Sequence, residues 1–323
     1  MRQSYINLKL MKTAIAAALA AFSLSFLLCL AAIPLLRRLK AGQYILGYVK
    51  QHKDKGGTPT MGGLAFVCAA LIVCLCFCGV RSATVNLALV IIAGYCLVGF
   101  LDDFLKIYRK DNLGLRPYQK IIFQCAIAAI AAAYCYVNGL TEINIPFAGM
   151  SVDVSWGIIP LVVLAFLSTV NCVNLTDGLD GLAGGTTLAC LASFGLLIIS
   201  SSGGLSLVCF CLCGAVAAFL IFNTNRATVF MGDTGSLALG AAVASVSVFS
   251  GNVLYIPVIG IMFVISGISV IVQVIYYKRT RRRVFLMAPI HHHFQMKGYS
   301  ESKISFVYFA VTAVVGLICL LFA

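Results

Sequence analysis

Within the stretch NCVNLTDGLDGLAGG (171–185), Asn171, Asn174, Asp177 and Asp180 recur at every third residue, with glycines at 178, 181, 184 and 185. On a helix this spacing gives a polar stripe that drifts slowly around one side. The glycines let backbone come close to a ligand or to another helix. No lysine or arginine accompanies the stripe. That is odd for a solvated loop and points to a pocket for a polar ligand or a cation. A solvated loop beside a glycine helix-packing patch is the plainer alternative.

Three further segments carry residues of the same kind. In GFLDDFLKIYRK, Asp102 and Asp103 are adjacent, so on a helix their side chains diverge by about 100°. They are expected to do different jobs: one approaching a metal or a nucleophile, the other held by a cation such as Lys106. In NTNRATVFMGDTGSLALG, Asp233 stands between two glycines and is followed by Thr234 and Ser236. These residues either cap the next helix or let Asp233 give a hard oxygen ligand to Mg²⁺, an ion shared with substrate phosphates. QHKDKGGTPTMGG is glycine-rich and carries Lys53 and Lys55, which could meet a phosphate, but it lacks the Walker spacing. APIHHHFQMKG holds His291, His292 and His293; three consecutive side chains cannot all face one ion, so one or two are read as phosphate or sugar ligands and the rest as structural. The basic run KRTRRR (278–283) suits lipid headgroups or another anionic partner, or simply sets topology.

The elements that position these residues must be membrane helices. Of 323 residues, 61% are hydrophobic and only 10% are charged. Apolar runs of about 17–25 residues recur, each long enough to cross roughly 30 Å of hydrocarbon as a helix. Open strands cannot do so, because lipid leaves exposed backbone groups without partners. The fold class is therefore an all-α polytopic membrane protein, with the whole of 1–323 read as one transmembrane catalytic domain. Ten spans are expected, at 14–36, 61–80, 85–101, 120–137, 157–170, 186–202, 205–222, 236–252, 254–277 and 303–323. The first is too long for a signal-peptide core and is followed by RRLK. Most of the 14 cysteines lie inside apolar runs, where they act as small hydrophobes.

Nineteen of the 23 lysines and arginines flank the loops after the odd-numbered spans. The positive-inside rule puts that side in the cytoplasm and both termini outside. Asp54, Asp102, Asp103, Asp111, Asp177, Asp180, Asp233 and Glu301 then gather at the cytoplasmic face, and only Glu142 and Asp153 lie outside. Charges beside hydrocarbon are expensive and usually functional. The external segment 138–156 alternates apolar and polar residues around a glycine turn and reads as a small hairpin.

Taken together, KGGTPTMGG, GFLDDFLK, GLRPYQK, NCVNLTDGLDGLAGG, FNTNRATVFMGDTGSLALG and APIHHHFQMKG resemble the polyprenyl-phosphate N-acetylhexosamine-1-phosphate transferases. Within them the chain is similar to the bacterial branch that handles phospho-N-acetylmuramoyl-pentapeptide. The resemblance implies ten spans, a homodimer, Mg²⁺, and a cytoplasmic active site in the bacterial plasma membrane. It implies transfer from UDP-MurNAc-pentapeptide to undecaprenyl phosphate, releasing UMP, with membrane lipid and no nucleic acid as partners. It also implies that Asp233 is a metal ligand with Asp102 and Asp103 beside it, and that Asp102 is the base toward the lipid phosphate. By the same resemblance, Lys55, Thr60, Asn174, Asp177, Gly178, Leu179, Asp180, Asn223, Phe230, Ser236 and His293 match substrate-binding positions, and His291 and His292 match catalytic ones. The family often has Pro-Ala where Arg226-Ala227 stands, an acid where Gln295 stands, and a proline-acid pair near Ser300-Glu301.

Two anionic reactants need cations to bring them together: Mg²⁺, Lys55 and a further lysine. The net charge of +13 concentrates an anionic nucleotide-sugar near the membrane. Two other readings stand beside this one. A GlcNAc-1-phosphate transferase shares the paired aspartates. A cation-coupled transporter would place its acids near the bilayer midplane, whereas here they sit at span ends.

Overall fold

The computed structural model describes residues 2–39, 57–78, 82–109, 114–224 and 226–322. Among these it is an all-α membrane bundle: α1 (Arg2–Arg38), α2 (Gly63–Cys78), α3 (Ala83–Arg109), α4 (Pro117–Val137), α5 (Ile158–Thr176), α6 (Leu182–Leu197), α7 (Gly203–Asn223), α8 (Gly232–Phe249), α9 (Ile256–Ile259), α10 (Ile261–Thr280), α11 (Ile290–Met296) and α12 (Glu301–Leu321). The ten expected spans correspond to ten apolar helices. Eight are long and apolar enough to cross a membrane, and α2 and α6 are shorter. At 16 residues each, those two reach about 24 Å.

Two boundaries depart from expectation. The first helix begins at Arg2, well before Ala14, so the basic N-terminal residues continue the helix. The span expected at 254–277 breaks into a short turn, α9 and α10, with Gly260 at the junction. The segment at 138–156 does form a hairpin, β1 (Glu142–Ile145) against β2 (Met150–Asp153), with Ile145 opposite Met150 across the turn.

Helix α8 is the hub. It packs against α3 and α5, and also touches α2 and α6. Of its apolar window 89% is buried, against 17% for α1. Its sequence, GDTGSLALGAAVASVSVF, is rich in Gly, Ala and Ser. Small residues let membrane helices pack backbone to backbone. A Cβ added at Gly99 of α3 would overlap the Asp233 carbonyl, and one at Gly63 of α2 would overlap the Gly235 backbone.

These contacts set the polarity of the bundle. The N-terminal ends of α2, α4, α6, α8 and α12 meet the C-terminal ends of α3, α5 and α7 at one end of the molecule. The hairpin lies at the other, where the Asn144 amide donates to the Gly251 carbonyl just beyond α8 (2.8 Å). Among the described residues, the chemistry-bearing motifs fall at the first end.

Helix α10 extends away from the bundle, with Ile268, Ile271, Val274 and Ile275 exposed along its length. The chain after it folds back. Gln273 of α10 accepts from the amides of Val284 (3.1 Å) and Phe285 (3.0 Å) and donates to the Phe285 carbonyl (3.2 Å). Ser269 accepts from the Ile290 amide at 3.0 Å, docking the start of α11 on α10.

The α3–α8 contact yields a prediction. Gly99→Ala forces the two backbones apart and costs about 1–3 kcal/mol as overpacking. It is expected to lower the thermal midpoint in detergent, whereas Gly185→Ala, whose added Cβ meets nothing within 4 Å, leaves it unchanged or slightly raised. Equal midpoints for the two variants would refute close packing at Gly99.

Candidate active site

The site begins with the way α3 ends. Asp102 and Asp103 fall inside the helix, which runs on to Arg109, and both are buried. Their side chains diverge as expected. Asp103 Oδ2 accepts from the Thr234 amide (3.0 Å) and hydroxyl (2.7 Å). Asp102 Oδ1 accepts from the Leu115 amide (2.8 Å), and its Oδ2 is ion-paired with Lys106. The N-terminus of α8 is thus satisfied by a carboxylate from α3, and no side chain of α8 caps its own helix. This corrects the local-capping alternative for Asp233, Thr234 and Ser236: the amide donors and the helix dipole attract an anion, and Asp103 supplies it.

Asp233 is thereby left available. Its Oδ1 accepts from Asn174 (2.7 Å), and its Oδ2 accepts from Lys106 (3.0 Å) and Lys120 (2.8 Å). The same Asn174 nitrogen reaches Ser236 Oγ at 2.8 Å, so α5 holds both residues of the first turn of α8. Asp102, Asp103 and Asp233 each offer a carboxylate oxygen, and these oxygens lie within 4.8 Å of one another. All three are hard oxygen donors without nitrogen or sulfur, a set that fits Mg²⁺. Three acidic side chains face two lysines, so the cluster holds more carboxyl oxygens than its ammonium groups engage.

Lys120 was not assigned a role from the sequence, and Thr234 only that of a cap for its own helix. Lys120 belongs to GLRPYQK, where it reads as one more charge at a membrane boundary. The signal lay in its neighbours. Pro117 occupies the first turn of α4, and Gln119 accepts from the Arg116 amide at 3.0 Å. This fixes where the helix starts and directs Lys120 toward Asp233.

The GTPTMGG segment docks on the residues preceding α8. Phe230 N donates to Pro59 O (2.8 Å), Gly62 N to Phe230 O (2.9 Å) and Gly63 N to Met231 O (3.0 Å). Thr60 is buried, and its hydroxyl lies beside Gly232 together with Asp103 Oδ2. Lys55, with Lys53, lies outside the described residues.

The expected polar stripe is not one helix. Helix α5 ends at Thr176, Asp177 terminates it with φ −78° and ψ 49°, and Gly181 takes φ +72° before α6 begins. Asn171 and Asn174 therefore lie on α5, while Asp177, Gly178, Leu179 and Asp180 form a turn. Asn171 donates to Gln124 (2.7 Å), one layer deeper than Asn174. Leu179 packs with Leu182, Met262, Ile304 and Tyr308 and pins the turn to the apolar interior. Asn223 accepts from the Gly181 amide (3.1 Å) and donates to Val229 O (3.0 Å). Asp180 Oδ2 accepts from the Ala227 amide (3.0 Å), its carbonyl accepts from Ser305 (2.9 Å), and its amide donates to Glu301 (3.2 Å).

The histidines divide their work. His291 is wholly buried. Burial, then the neighbouring His292, pushes its pKa down to about 3, so its ring is neutral. A Cβ at Gly178 would strike Nε2 of both His291 and His292, so the turn lies flush against the two rings. His293 Nδ1 instead accepts from the Leu286 amide (3.1 Å), and its ring packs edge-on to Phe285.

Burial pushes the Asp177 carboxyl up to about 8, with Asp233, Asp103 and Asp180 adding to the rise. An unfolded aspartate titrates near about 3.9. Between these values the folded chain keeps a proton that the unfolded chain has released, so this contribution to stability is lost as pH rises from about 4 to about 8. Without divalent cations, the thermal midpoint should fall across that window, and Asp177→Asn should flatten the slope. An unchanged slope would remove Asp177 as its source.

Residues 85–251 match the Glycosyl transferase family 4 profile. The chain is 43% identical over 294 residues to a phospho-N-acetylmuramoyl-pentapeptide-transferase of Clostridioides difficile, covering 90% of this chain and 91% of that one. It is 46% identical over 286 residues to the protein so named in Clostridium perfringens strain 13 (87% and 90% covered). For that of Bacillus subtilis the figure is 41% over 305 residues (92% and 94%). At that identity over about nine-tenths of its length, the chain belongs to the phospho-N-acetylmuramoyl-pentapeptide-transferase family.

Proposed function

We propose that this membrane phosphoglycosyl transferase moves phospho-MurNAc-pentapeptide from UDP-MurNAc-pentapeptide to undecaprenyl phosphate, with Mg²⁺, giving lipid I and UMP. The reading includes a homodimer in the bacterial plasma membrane, with the site facing the cytoplasm and both termini outside. The single observation that carries it is the cluster of Asp102, Asp103 and Asp233 at the end of the bundle, in a chain whose relatives bear that activity in their names. The positive-inside count supports the orientation.

The side chains divide the chemistry as follows. Asp103 is held by two hydrogen bonds from Thr234, so it is a rigid anchor. Asn174 fixes the orientation of Asp233. These residues, with Asp102, would hold Mg²⁺, which supplies the positive charge that offsets negative charge growing on the diphosphate. Lys106 and Lys120 bring two further positive charges to the place where two phosphates must meet. Asp102 Oδ2, paired with Lys106, is the proton acceptor toward the lipid phosphate. The Asp177–Gly181 turn and the two flush histidines form the wall for the polar part of the nucleotide-sugar.

The test is UMP release by purified protein with undecaprenyl phosphate and Mg²⁺. UDP-MurNAc-pentapeptide should support it and UDP-GlcNAc should not; the reverse preference would move the chain to the sister reaction. Asp233→Ala should abolish both turnover and its Mg²⁺ dependence. Asp102→Asn should lower kcat by about 10²–10⁴-fold with nucleotide-sugar binding retained. Loss of binding alone would reassign Asp102 to the substrate pocket.

A further inference from the structure

At the hairpin end of the bundle, opposite the acidic cluster, lies a cavity of about 340 Å³. It is enclosed by the β1–β2 hairpin, the end of α6, the link from α8 to α9 and the residue that follows α12. Bonds between these segments hold its walls. Asn144 Nδ2 donates to Asn252 Oδ1 (3.2 Å), and Asn252 Nδ2 donates to the carbonyl and hydroxyl of Ser250 (both 3.0 Å). Phe147, in the hairpin turn, meets Phe322 edge-on with ring centroids 6.2 Å apart, which ties the hairpin to the end of α12.

One polar group in this wall has no protein partner. Tyr255 is only 5% exposed. Among the described residues its hydroxyl neither makes a hydrogen bond nor is sealed inside the protein, so the part left accessible opens on the cavity it lines. Buried phenols usually find a partner. The neighbouring side chains are of two kinds. Asn144, Ser151 and Asn252 offer neutral hydrogen-bonding groups, whereas Met150, Leu197 and Phe322 are apolar. Among the described residues no charged side chain lines the cavity, and an ionised ligand taken from water without a counter-charge is strongly disfavoured. The volume stands at the small end of the range for ligand pockets. It suits a headgroup rather than a whole lipid. Trp156 and Phe322 are exposed at this end, as aromatic rings are where hydrocarbon gives way to water.

We propose that this cavity is a binding site for an uncharged, hydroxyl-bearing headgroup, with the Tyr255 hydroxyl as its central hydrogen-bonding partner. A monoacylglycerol-type lipid presents that chemistry at the membrane surface, and its chain would leave along the side of Met150, Leu197 and Phe322. A free polyol presents the same hydroxyls without the chain. No residue of the acidic cluster lines the cavity, so the site stands independently of the transferase reading.

The test is photolabelling of the full-length chain in phosphatidylcholine nanodiscs. The probe is a monoacylglycerol with a diazirine on the chain carbons next to the headgroup, and the labelled peptides are identified by mass spectrometry. Label is expected on the hairpin and on the segment from Asn252 to Tyr255; label spread evenly over the membrane helices overturns the proposal. Unlabelled monoolein should displace the probe. Oleoyl lysophosphatidic acid, with the same chain but a charged headgroup, should do so about tenfold less well, and equal displacement by the two also overturns it. Free glycerol separates the two sources. If it displaces the probe as monoolein does, the site takes a polyol; if it fails where monoolein succeeds, the site takes a lipid. Tyr255→Phe removes only the hydroxyl and should weaken specific labelling about 2–10-fold, the range of one hydrogen bond. Ser151→Trp, on an exposed strand that tolerates a large ring, should block labelling at the cavity. Unchanged labelling in both variants would sink the assignment.

Discussion

Three carboxylates sit within 4.8 Å of one another at the end of an apolar bundle, and most of the surrounding architecture answers their mutual repulsion. Like charges at this range, beside a low-dielectric interior, cannot persist without compensation. The protein supplies it from three sources. Two lysines come from different helices, α3 and α4. The dipole and free amide of the α8 N-terminus engage Asp103. The amide of Leu115 and the side chain of Asn174 complete the shell. The carboxyl oxygens these partners leave over are the ones a divalent ion would engage.

This arrangement demands backbone-level accuracy. Helix α8 must stand close enough to α3 for its first turn to bond an α3 carboxylate, which requires glycine at position 99 and small residues along α8. The GTPTMGG strand-like segment pairs with the chain just before α8 and fixes its entry. Membrane helices draw little hydrophobic force from facing one another in lipid. Close packing and polar bonds at the site end therefore hold together both the fold and the chemistry. Function and stability share residues here, so a substitution at Gly99 or Asn174 touches both.

Much of this was legible in the chain. The ten apolar runs marked the helices, because lipid permits few other solutions. The paired aspartates, Asp233 and the polar stripe marked the site, because such residues are rarely left near hydrocarbon without work to do. What stayed hidden were relations across helices. Period-three spacing suggested one continuous stripe, yet Gly181 and the break after Thr176 fold it into a turn. Thr234 read as a cap for its own helix, whereas tertiary contact made it the partner of Asp103. Lys120 was indistinguishable from a topogenic charge until α4 was placed against Asp233. Gln295 and Glu301 stood out in the sequence only as departures from a family pattern, and the hydrogen bonds that join Gln295 to Glu301 and to His292 are visible only in three dimensions.

The segment between α10 and the histidines links two different surroundings. The return segment hangs on α10 through Gln273 and Ser269, and α10 presents much of its apolar surface outward. The imidazoles stand between that return segment, Tyr308 of α12 and the α5–α6 turn, while the carboxylates are fixed to α3 and α8. The wall of the site is thus tied to an outward-facing helix and the acidic cluster to an enclosed one, so the two halves of one site meet different surroundings.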